Sequence, residues 1–210
     1  MKKKINSFLS IILPNKKVNI FAILIILLGI ISGSIFLIIL SKNDKELVMN
    51  KITSFMTNIN ENKINNLEAF KNAMIENSIF IVIMWVLGAS IIGIIVNIFL
   101  TYIRGFIVGF SVSSFILTFK YKGIISTLIY VFPTTIINLL ITILISVYSF
   151  SFTIILYKSI FYKTSNFMIK GYIKKYIYIL LISLGLSFIS SLSEAFLLPS
   201  MMKVVIKLFI

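Results

Sequence analysis

The stretch "VNIFAILIILLGIISGSIFLIIL", Val18 to Leu40, decides the fold. It carries no charge, and its polar residues are two small serines and Asn19. As one helix it is a little over ~30 Å long, the thickness of a bilayer's hydrocarbon core. A helix apolar on every side belongs in lipid, and the 210-residue chain, 59% apolar, holds several comparable runs. The expectation is an all-α, polytopic integral membrane helical bundle of about five transmembrane helices, with the N-terminus inside and the C-terminus outside.

Working outward, residues 1–17 form a cytoplasmic basic segment whose apolar positions Ile5, Phe8, Leu9 and Ile12 have helical spacing. It lacks a small-residue cleavage site and reads as a retained helix on the inner membrane surface, held by Lys2 to Lys4, Lys16 and Lys17. Residues 18–40 are the first span. Residues 41–78 form an extracytoplasmic loop with five acids and five lysines. In it Val48, Ile52, Phe55 and Ile59 make one helical stripe, and Ile64, Leu67, Phe70 and Met74 make another.

Spans follow at 79–103 and 105–119, separated by Arg104. Residues 124–157 are too long for one crossing, about 50 Å as a helix, and contain Pro133. Either the third helix continues past Lys120 and Lys122 and turns near Pro133, or 124–132 is an interfacial or re-entrant piece before a fourth span from Thr134 to Tyr157. A cytoplasmic basic connector, 158–175, a fifth span, 176–198, and an outer tail, 199–210, complete the chain. This arrangement places 11 basic residues and no acid inside, as the positive-inside rule requires.

Charge and composition exclude several functions. Basic residues outnumber acids 20 to 6, but they flank apolar runs, so lipid headgroups rather than nucleic acid are the expected partner. Cys and His are absent, which removes disulfides, thiolates, imidazole bases and most zinc sites. No paired carboxylates or phosphate-binding Gly-rich loop appears, so no catalytic residue, no cofactor and no metal is expected, and the protein reads as non-enzymatic.

Small residues recur one helical turn apart: Gly29 and Gly33, then Ala89 and Gly93, with Gly88 beside them, then Gly105, Gly109 and Ser113. Such rows let backbones approach within lipid, inside one chain or between copies. In the last span Ser183, Ser187, Ser190, Ser191 and Glu194 fall on one face, within a ~100° arc, which should turn towards protein. Pro199 would end that helix, leaving Glu194 only ~7 Å deep and within reach of Lys120, Lys122 or a tail lysine. A structural contact is the favoured role for this carboxylate.

Four stretches carry a family resemblance: "MWVLGASIIG" (84–93), "RGFIVGFSV" (104–112), "YVFP" (130–133) and "SLSEAFLLP" (191–199). In order and spacing the chain resembles the stage II sporulation protein M (SpoIIM) family of endospore-forming bacteria. It departs at Ser113 and Ser114, where the family often has another Gly.

The resemblance implies a scaffold for forespore engulfment in the mother-cell septal and engulfing membrane, anchoring the peptidoglycan hydrolases SpoIIP and SpoIID. The stripe Val48, Ile52, Phe55 and Ile59 is then the candidate docking surface. Self-association and a permease-like subunit of a transporter are the alternatives.

Overall fold

The computed structural model describes residues 16–162 and 166–209. The basic segment's Lys2 to Lys4 and its apolar stripe lie outside the described residues. Helix α1 is Lys16–Ile39, α2 Lys42–Asn60, α3 Asn66–Gly88, α4 Gly93–Phe119, α5 Tyr121–Tyr162 and α6 Asn166–Leu192. A π-helical turn, Ser193–Leu197, joins α6 to α7, Leu198–Phe209. Five segments are long and apolar enough to cross a membrane: α1, α3, α4, Thr134–Phe161 within α5, and Gly171–Val204.

Consecutive spans alternate in direction. Arg104 of α4 meets Asn77 of α3 while Asn97 meets Met84, so those two helices are antiparallel. Thr101 opposite Ser146, and Ser149 opposite Tyr176, set α5 against α4 and α6 in the same way. α1 and α4 run parallel, in contact along their glycines: a Cβ at Gly105 would strike the Ile26 backbone, and one at Gly109 the Ile30 backbone. Gly29 and Gly33 face the Tyr102 and Phe106 backbones, so the first and third of the expected small-residue rows meet in one intramolecular seam. Ile20, Leu24, Leu28, Ile31 and Ile38 are left exposed on the far side of α1, as a lipid-facing band must be.

The chain turns at 89–92, not at Arg104. The expected spans 79–103 and 105–119 are therefore α3 and α4, and Gly88 and Gly93 flank the turn instead of forming a seam with Ala89. The turn closes because each of the last four carbonyls of α3 finds a donor. Tyr176 Oη donates to Trp85 O at 2.7 Å and Thr153 Oγ1 to Gly88 O at 2.9 Å. The Ala89 and Ser90 N–H groups take Val86 O and Leu87 O. At Gly88 a Cβ would collide with Tyr176 and Ser149, so Gly is needed for this approach.

The second break lies at Lys120, whose φ of 51° opens a corner between α4 and α5. α5 then runs 42 residues without a break at Pro133, about 63 Å at 1.5 Å per residue. No turn forms at Pro133, and 124–132 is continuous helix rather than a re-entrant piece; the candidate span starts at Thr134, as in the alternative with an interfacial piece before a fourth span. The first three turns of α5 lie outside the candidate span and join a cap. There Met56 and Ile59 of α2, Phe115 of α4, and Leu198, Met202 and Ile206 of α7 share one core, with Ile52, Phe55 and Ile129 packed on it. The second stripe of the polar region opens α3 rather than a separate helix. The basic connector is likewise mostly helical, shared between α5 and α6.

Pro199 does not stop the last helix. The Leu198 N–H reaches back to Ser193 O, five residues away, and this wider turn accommodates a proline that has no N–H to give. The expected outer tail is α7, docked on the cap.

Candidate functional site

The docking candidates turn inward. Ile59 is 1% exposed and sits in the cap core. Val48, Ile52 and Phe55, with Lys51, form one wall of a groove of about 420 Å³, whose other wall is Phe110, Ser111, Ser114 and Phe115 of α4. Amphipathicity placed the stripe on protein, and its partner is the chain's own bundle. The opposite face of α2, with Glu46, Asn50, Ser54 and Thr57, is exposed.

Arg104, the one arginine in the chain, lies twelve residues into α4 and not at a membrane surface. Its neighbour Gly105 abuts Ile26 of α1, so the guanidinium sits level with the middle of the first span. A charge there needs local compensation. Nη2 donates to Asn77 Oδ1 at 2.8 Å, and the guanidinium lies over the Phe80 ring at 4.2 Å. Nε is buried without a hydrogen-bond partner. The carboxylates in electrostatic range are Glu194 and Glu76.

Glu194 shares a cavity with this arginine, a partner that the sequence reading, which offered Lys120, Lys122 or a tail lysine, did not name. The two do not touch directly. They line a cavity of about 140 Å³ with Ser111, Thr134, Thr135 and Asn138, closed by Ile107, Val108 and Leu139. Behind Glu194, Ser183, Ser187, Ser190 and Ser191 are all fully buried, so the serine stripe does face protein. Ser190 Oγ donates to Thr134 O at 3.4 Å, tying α6 to the cavity wall. The result is a polar chamber inside the bundle, lined by one guanidinium and one carboxyl group.

Sequence reasoning found Glu194 and its serines, but missed the convergence of Arg104, Asn77, Thr134 and Asn138. Two cues were present: a solitary arginine among 19 lysines inside an apolar run, and Asn77 one turn from Ala73 on a buried face.

These features define a polytopic helical membrane protein with five candidate spans, an amphipathic-helix cap and an intramembrane polar chamber. The chain belongs to the stage II sporulation protein M (SpoIIM) family, whose model matches residues 4–199. It is thus a sporulation-related membrane protein of that family. No match was found among curated proteins or among solved structures.

Proposed function

We propose that this protein is a non-enzymatic scaffold of the forespore engulfment machinery, placed in the mother-cell septal and engulfing membrane, where it anchors the hydrolases SpoIIP and SpoIID. The observation that carries this reading is the family match over residues 4–199. The cap supports it. α2 and α7 are held rigidly on one end of the bundle by a shared core, which presents the polar face of α2 as a preformed surface for a wall-facing partner. Because the apolar stripe of α2 is internal, docking is assigned to Glu46, Asn50, Ser54 and Thr57.

Crosslinking and affinity purification from sporulating cells tests the reading. SpoIIP and SpoIID are expected to co-purify, and arginine substitutions at Glu46, Asn50 and Ser54 to reduce their recovery at normal abundance of the scaffold. Recovery of a cytoplasmic ATPase instead of either hydrolase would move the protein to the permease class.

A further inference from the structure

We propose that this protein thins the bilayer on one flank, drawing the headgroups of the cap-side leaflet down along α3 to the depth of Glu76. The inference does not rest on the hydrolase-anchoring reading. It follows from a mismatch between the apolar belts of α1 and α3.

The two belts begin at one level but differ in length. Val18 packs with Ile94, just past the 89–92 turn, so the start of the first span is level with the end of α3. From there α1 is apolar from Val18 to Leu40, about 34 Å. α3 is apolar only from Gly88 back to Ile79, about 15 Å. Beyond that the same exposed face turns polar: Glu68, Asn72 and Glu76, one turn apart, continue the row of Ile79, Ile83 and Val86, and Lys71 stands exposed beside them.

Two contacts fix the depth of this polar row. Arg104 bonds to Asn77, and its neighbour Gly105 abuts Ile26, which lies about 21 Å along α1 from Leu40. Phe70 packs edge-on against Phe188 of the last apolar span, with ring centroids 5.6 Å apart, so this half of α3 runs beside that span and not above it. Glu76 is therefore about 20 Å, and Glu68 about 8 Å, below the cap-side end of the α1 belt.

No side-chain hydrogen bond or ion pair joins Glu68, Lys71, Asn72 or Glu76 to another described residue. Hydrocarbon against such a row is unfavourable whatever the charge state of the two acids, because a lysine and an amide stand among them. Tilting the bundle moves both edges of a belt together and leaves its length unchanged. A depressed leaflet shortens the hydrocarbon where α3 needs it, at a modest cost per ångström of mismatch. It also accounts for the guanidinium at mid-span. With water at Glu76, Arg104 on the adjacent Asn77 lies close to solvent, and local thinning is one way a bilayer tolerates such a charge. On α6 the apolar side chains Phe188, Ile189 and Leu192 are exposed at this height, which confines the depression to the α3 flank.

The chain has no cysteine, so single-cysteine variants of the full chain, reconstituted in phosphatidylcholine vesicles and treated with a membrane-impermeant maleimide, test this. Asn72→Cys and Ile31→Cys report one depth on α3 and α1, at two exposed positions. Ser54→Cys, on the exposed face of α2, reports the copies whose cap faces the reagent. Asn72→Cys should label within threefold of the Ser54→Cys rate, and Ile31→Cys and Ile79→Cys at least tenfold more slowly. Protection of Asn72→Cys equal to that of Ile31→Cys would overturn the proposal. So would rapid labelling of Ile31→Cys, which would void the depth register, or disulfide-linked pairs of Asn72→Cys chains, which would assign the polar row to a second copy.

Discussion

Replacing Gly109 by Ala tests whether α1 is held to the bundle by backbone contact. The added Cβ would fall on the O, C and Cα atoms of Ile30. Backbone atoms cannot rotate away as a side chain can, so the helices must separate. Overpacking against backbone lies at the upper end of the usual range, about 2–3 kcal/mol, and the better helix propensity of Ala returns up to ~1 kcal/mol. The net loss of about 1–2 kcal/mol corresponds to a ~5–30-fold larger open population. The chain has no cysteine, so Ala22→Cys, at a fully buried α1 position in contact with α4 and α5, gives one reporter thiol. Its labelling by a maleimide in detergent should accelerate by that factor in Gly109→Ala. Gly185→Ala is the control, because a Cβ there meets nothing within 4 Å, and its labelling should not accelerate. Labelling of the Gly109 variant within twofold of the parent would refute the seam.

Four further outcomes are expected. Lys120→Gly, relieving a residue held at φ 51°, should stabilise the protein by about 1 kcal/mol, read as a higher unfolding midpoint in detergent. Asn97→Leu removes the 3.0 Å bond from Nδ2 to Met84 O in a fully buried position. It should destabilise by ~0.5–2 kcal/mol, measured by the same melt. Met202→Asp, at a fully buried site of the cap core, should release α7 and expose Lys203 to trypsin, while the bundle stays resistant. Tyr176→Phe keeps the ring stack on Trp85 at 5.4 Å but loses the hydroxyl that closes the 89–92 turn. The emission of Trp85, the single tryptophan, should therefore be unchanged, with a stability loss of about 1 kcal/mol.

Much of the fold was legible because membrane spans are written in one dimension. Val18–Leu40 needs no partner to be recognised: its length and apolarity suffice. The stripe from Val48 to Ile59 and the serine face of the last helix were visible from helical periodicity, and both bury the side they should. Their partners were not legible. A stripe specifies that a face is covered, and not whether a second protein or the chain's own Phe115 and Met202 cover it.

The turns decided the rest. Arg104 looked like a membrane boundary because a charge is usually placed at one, yet the chain reverses at 89–92, where no charge marks the place. That reversal depends on Tyr176 and Thr153, 91 and 65 residues from the carbonyls they satisfy. Pro199 looked like a stop, and a π-turn carries the helix past it. The amino-acid sequence by itself determined the helical membrane class, the number of spans and which faces are buried, since each follows from local composition and period. Only the tertiary structure decided the depth of Arg104 and Glu194 and their convergence on one chamber, because depth is set by where the chain turns, and the groups that close those turns are distant in sequence.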